Sequence, residues 1–178
     1  GTESTITGST TDSSTITFDS WNKSTYRGAK YFISVKNSSK SEYSNLEVLA
    51  VHNDVDAFVS EFNNVNTGSN DLVSVDADIS GTDVRLRVTG HEPGLEIRAY
   101  RILLKHDEIS DGTNNRGSVV IGSAEQTIDS FLITNYYAGF YVIVSKNTDT
   151  GESSIHQVNL IHNGSNNVYL NADPSITT

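Results

Sequence analysis

The chain repeats itself. Shifting the sequence by 110 positions aligns FDSWNKSTYRGAKYFISVKN (Phe18 to Asn37) with IDSFLITNYYAGFYVIVSKN (Ile128 to Asn147) without a gap. The match resumes at the same offset where VLAVHN (Val48 to Asn53) stands opposite VNLIHN (Val158 to Asn163). Between Thr17 and Val59, 13 of 43 positions are identical to their partners, where average composition would give roughly three. The identities include Asp19/Asp129, Tyr26/Tyr136, Tyr31/Tyr141 and His52/His162, and Trp21 faces Phe131. A repeat of this kind restricts the fold before any single element is assigned, because both copies must adopt related structures.

The first copy continues past the matched part. DVRLRVTG alternates, with Val84, Leu86 and Val88 on one face and Arg85, Arg87 and Thr89 on the other, the pattern of a half-buried strand. Leu95, Ile97 and Ala99 alternate in GLEIRAYRILL after the Pro93-Gly94 turn. Further turn signals at Asn37 to Lys40, Asn53-Asp54, Thr67 to Asn70 and Ser80-Gly81 leave room for six or seven short strands. No window favours helical over two-residue periodicity. The expected fold is therefore all-β: an antiparallel β-sandwich, or barrel-like sandwich, with an incomplete second copy.

The expected organisation is a flexible N-terminal segment over 1–14, loose or edge-like, then repeat one over 15–104, a linker or long loop over 105–126, and a partial repeat two over 127–178. Val119 to Ile121 are a candidate short strand within the linker. Equivalents of Glu61 to Leu104 would fall at about 171–214, so half a sandwich leaves an apolar face and a strand edge open. Either repeat two docks on repeat one, or another subunit completes it, or the natural chain runs on past Thr178.

Charge and composition narrow the function classes. The 22 acidic and 12 basic residues give a net charge of −10, which repels phosphate backbones and anionic bilayers, so neither nucleic acid nor membrane is an expected partner. With no cysteine, thiolate metal sites, disulfides and cysteine nucleophiles are excluded. No apolar run reaches the length of a membrane span.

The chemistry-bearing residues converge on nothing. His52 and His162 share a repeat position, which reads as a structural histidine at a strand end rather than an acid–base pair. With them, Tyr26, Tyr31, Tyr136 and Tyr141 form the repeat-equivalent structural set. His91, His106 and His156 lack partners at ligand spacing. Asp76 and Asp78, two apart on one strand face, are the weak calcium candidates, since calcium takes several hard oxygens. Trp21, Tyr43 and Tyr100 are the weak sugar-stacking candidates. No nucleophile elbow, phosphate loop or zinc spacing occurs. The sequence thus points away from an enzyme, and it implies no catalytic residue, resident metal or cofactor.

The run TYRGAKYFISV, then LEVLAVHND, AFVSEFNNVNTGSN and VSVDADISGTDVRLRVT, resembles a repeat of virion structural proteins in contractile-tailed marine bacteriophages, notably cyanophages. Tyr26, Arg27, Ala29, Lys30 and Tyr31 match its Tyr-Arg-x-Ala-Lys-Tyr opening, and Glu47 and His52 its hairpin. Asp76 to Gly81 match Asp-Ala-Asp-Ile-Ser-Gly, followed by the Val-x-Leu-x-Val strand. Asn53-Asp54 replace Asp-Gly, Glu61-Phe62 replace Glu-Tyr, and Thr82 stands for a second glycine. Repeat two lacks the Arg-x-Ala-Lys core. The resemblance implies a virion part (tail, neck, baseplate or fibre) assembled in the host cytoplasm, whose partners are other virion proteins or further copies of itself. The alternative is an extracellular carbohydrate-binding or adhesin-like sandwich that recognises a host surface glycan.

Overall fold

The Val84, Leu86 and Val88 face turns inward, as its alternation requires, and the sheet it covers is long and twice covered. A computed structural model of the chain describes residues 2–10, 13–105, 122, 124–125, 127–165 and 167–178. Eleven strands run in the order β1 (Thr2–Thr10), β2 (Thr15–Asn22), β3 (Tyr26–Asn37), β4 (Glu42–His52), β5 (Ala57–Asn66), β6 (Val73–Ser80), β7 (Asp83–Gly90), β8 (Leu95–Lys105), β9 (Ala138–Lys146), β10 (Ser153–His162) and β11 (Val168–Thr177). No helix occurs among the described residues.

The strands form three antiparallel sheets: a covering sheet β2-β7-β6, a middle sheet β1-β8-β3-β4-β5, and a third sheet β11-β10-β9. The main core lies between the first two. Ala29, Tyr31, Ile33 and Val35 of β3 and Leu46, Val48 and Ala50 of β4 pack against Trp21 of β2, Val75 of β6, and Val84, Leu86 and Val88 of β7. Each buried aliphatic side chain there contributes about 1.5–3 kcal/mol.

The opposite face of the middle sheet meets the third sheet. Leu49, Val51 and Ile155 are fully buried between them, with Phe58, Phe62, Leu104, Val142, Val144 and Ile176 around them. Gly28 sets how closely the two sheets approach. A Cβ there would lie 3.0 Å from the Ala50 carbonyl oxygen, 3.0 Å from Val144 and 3.2 Å from Ile155. The all-β sandwich expectation therefore holds, extended by one layer: repeat two docks on repeat one through one face.

The repeat extends to register. β3 pairs with β4 as Gly28↔Val51 and Tyr31↔Val48, and β9 pairs with β10 as Ala138↔Ile161 and Tyr141↔Val158. These are the same pairings moved by 110. The loop after His162 is one residue longer than that after His52, so Ala57 corresponds to Val168. Ser41 and Asp54 have positive φ of 57° and 76°, and their equivalents Gly151 and Gly164 have 81° and 78°.

Two expectations need correcting. The N-terminal segment is not loose: Thr2–Thr10 forms an edge strand along β8, from Thr2↔Leu103 to Thr10↔Leu95. Its Ser/Thr-rich sequence, with Ile6 as its one large apolar side chain, hides a backbone that pairs throughout. Within repeat two, strands begin at Ala138 rather than near Thr127, because the segment equivalent to β2 is unpaired. In repeat one β2 pairs with β7, and no counterpart of β7 exists among the described residues. The proposed linker lies outside the described residues from 106 to 121, as do His106 and the candidate strand at Val119 to Ile121.

Candidate functional site

Repeat one supplies the template for reading repeat two. Trp21 of β2 is buried, and its indole N–H donates to the Tyr31 hydroxyl at 3.0 Å. Tyr31 donates to Asp19 Oδ2 at 2.8 Å, and Nη1 of Arg101, on β8, reaches both Asp19 oxygens at 2.7 Å. Burial and the Asp19 carboxylate push the Tyr31 phenol well above its ordinary range, so it serves as a neutral donor.

His52 is fully buried against the Trp21 ring, at 5.4 Å between centroids. Nε2–H donates to the Tyr26 carbonyl at 2.8 Å, while the Asp54 N–H donates to Nδ1 at 3.1 Å. With Nδ1 accepting, the ring is neutral, and burial above all holds its pKa below the ordinary value. A buried imidazole with both nitrogens committed to the backbone fixes a turn and has no free nitrogen for acid–base work.

Repeat two reproduces the histidine and tyrosine–aspartate hydrogen bonds of this arrangement. His162 Nε2–H donates to the Tyr136 carbonyl at 2.6 Å, and the Gly164 N–H donates to Nδ1 at 2.9 Å. Tyr141 donates to Asp129 Oδ2 at 2.9 Å, and Phe131 lies 6.2 Å from the His162 ring. Burial and Asp129 again raise the phenol.

The covering layer is what differs. Phe18 is 6% exposed, its equivalent Ile128 40%. Leu170, in the place of half-buried Val59, is 62% exposed. An apolar cavity of about 350 Å3 opens over this face, lined by Ile128, Phe131, Tyr141, Ile143, Leu160 and Leu170 among others. Asp129 has no cation partner among the described residues. β9, the counterpart of β3, has β10 on one side and no strand on the other among the described residues, where β3 has β8.

A polar seam joins the repeats on the far face of the third sheet. Lys30, fully buried, donates to Glu47 and to Gln157 Oε1 at 2.6 Å, and its ammonium lies 4.1 Å from the Phe62 ring centroid. Burial lowers the Lys30 pKa against the pull of Glu47. Asp54 takes Arg27 at 2.9 Å and Lys146 of repeat two at 3.0 Å. Burial raises its carboxyl, but the two cations outweigh that and hold it at about 2. The buried Arg27 and Lys30 are thus compensated by partly solvated carboxylates, and the pairs that cross between repeats fix how the layers sit.

The remaining candidates scatter. Trp21 lies in the core and offers no sugar platform. Tyr43 and Tyr100 are exposed on the middle sheet; Tyr100 pairs with Phe32 and Tyr43 with Lys36, four positions further along β3, or about 13 Å. Asp78 is gripped by Arg85 at 2.7 and 2.6 Å, and Asp76 accepts from the Ala77 N–H. No group of three or more His, Asp or Glu among the described residues is placed to hold a metal ion. Reading the sequence missed Arg27, Lys30 and Asp129; the identity of Asp129 with Asp19, joined to the lack of any counterpart to Arg101, was the available signal. No protein-family model matches the chain, and no curated protein matches it.

Proposed function

We propose that this chain is a non-catalytic interaction module of a larger assembly, in which another polypeptide completes repeat two. One observation carries the reading: repeat two keeps the histidine and tyrosine hydrogen bonds and the strand register of repeat one, but among the described residues nothing stands over the apolar face that repeat one covers with β2-β7-β6. Leaving side chains such as Ile128 and Leu170 in water forgoes about 1.5–3 kcal/mol each, a cost that a partner would remove. Within that class, the Tyr-Arg-x-Ala-Lys-Tyr and Asp-Ala-Asp-Ile-Ser-Gly resemblance supports a virion part: tail, neck, baseplate or fibre. The high acidic charge suits a protein packed at high local concentration.

Immunogold labelling of intact phage particles that carry the encoding gene tests the virion reading. Label at a fixed place on the particle is expected; antigen confined to the soluble lysate would reject it. A glycan array separates this from a host-glycan adhesin, for which selective binding abolished by Tyr43→Ala or Tyr100→Ala would be the signature.

A further inference from the structure

We propose that the open edge of β9 and the cavity beside it take an added antiparallel strand from another polypeptide, and that this strand carries an arginine which pairs with Asp129. The inference rests on the reading of the chain as an interaction module and names the chemistry of its partner.

Two vacancies coincide in repeat two beside its apolar cavity, an unpaired strand edge and an aspartate without a guanidinium, and in repeat one a single strand, β8, fills both. β8 pairs along β3 with Tyr31↔Arg101 and Ile33↔Ala99. It buries Leu95, Ile97, Ala99 and Leu103 in the core. From the same face, Arg101 grips both oxygens of Asp19. Among the described residues of repeat two, the β9 edge has no such neighbour, an apolar cavity lies beside it, and Asp129 holds the Tyr141 hydroxyl with no guanidinium beyond it. Because β9–β10 repeats the β3–β4 register, the incoming arginine would stand opposite Tyr141. The partner strand therefore has the pattern apolar-x-apolar-x-small-x-Arg-x-apolar. Backbone pairing supplies affinity, alternate side chains supply fit, and the charge-assisted pair sets the register.

The chain contains a probe of this pattern: the peptide LEIRAYRILLK, the sequence of Leu95–Lys105. Fluorescence anisotropy of the labelled peptide against the full chain should show saturable one-to-one binding, with slowed amide exchange in β9 and unchanged exchange in β1 and β5. The R101A peptide should bind the wild-type chain about tenfold or more weakly, and the two peptides should bind D129N alike. The first comparison changes only the peptide, so it does not depend on a variant folding. Absence of saturable binding, equal binding of both peptides to the wild type, or protection elsewhere than β9 would overturn the proposal. So would a chain whose open face is covered by dimerisation with a second copy. Failed binding alongside particle label would reject the strand and leave the virion reading standing; binding without particle label would do the reverse.

Discussion

Asp19 and Asp129 each accept a tyrosine hydroxyl, from Tyr31 at 2.8 Å and Tyr141 at 2.9 Å, but among the described residues only Asp19 is also held by an arginine. That difference marks where the two repeats part. The strands equivalent to β3, β4 and β5 persist, with their turns, their histidine and their tyrosine–aspartate pair. The strands that supply Arg101 (β8) and the Val-x-Leu-x-Val face (β7) have no counterparts among the described residues.

Trp21→Phe gives repeat one the residue that repeat two has at this position. It removes the indole N–H from the Tyr31 hydroxyl while leaving a ring against His52. The expected cost is about 1–2 kcal/mol in denaturant unfolding. A neutral result would mean that the indole hydrogen bond carries no net stability.

Gly28→Val places a branched side chain where even a Cβ meets the Ala50 carbonyl, Val144 and Ile155. The third sheet must lift away, at about 1–3 kcal/mol. Amide exchange should accelerate in β9 and β10 while β7 keeps its protection. Uniform acceleration across all sheets would show that the layers unfold as one unit and that the contact is not local.

Lys30→Ala leaves Glu47 and Gln157 without their shared donor inside the seam. Breaking a buried pair costs about 3–5 kcal/mol, and the lower end is expected because Glu47 is partly solvated. Lys30→Met, which keeps the volume, should lose less. Equal losses would assign the effect to the lost ammonium contacts, with no share for packing.

Acid should weaken the fold through His52. Its folded pKa is depressed by burial, so the unfolded chain binds the proton more readily. The stabilisation is complete above the ordinary value of about 6.5 and is lost as pH falls below it toward the depressed folded value. Urea midpoints should drop between pH 7.5 and 5.5 in the wild type and drop less in His52→Gln. Equal drops would place the titration elsewhere.

The repeat, the all-β class and the Val84/Leu86/Val88 face could be read from residues alone, since alternation and self-similarity are local in sequence. The middle position of the β3–β4 layer could not. Its signal was the unbroken Val48 to Val51 run, which a strand buried on both faces requires, but it stood beside Lys30 and Glu47, residues normally left to solvent. Those charges are tolerated because Lys30 pairs with Glu47 on the neighbouring strand and with Gln157 across the seam, long-range facts that spacing does not carry. The edge strand Thr2–Thr10 was legible only as one of two alternatives, loose or edge-like, for the opposite reason. It is held by backbone pairing to β8, and its serines and threonines give no apolar periodicity.

The claim that the two repeats are kindred layers is tested most directly by cross-strand nuclear Overhauser contacts between Hα protons. The set observed between β3 and β4, including Tyr31 with Val48, should recur between β9 and β10 at positions 110 higher, including Tyr141 with Val158. Contacts in any other register, or none between residues 138–146 and 153–162, would contradict it.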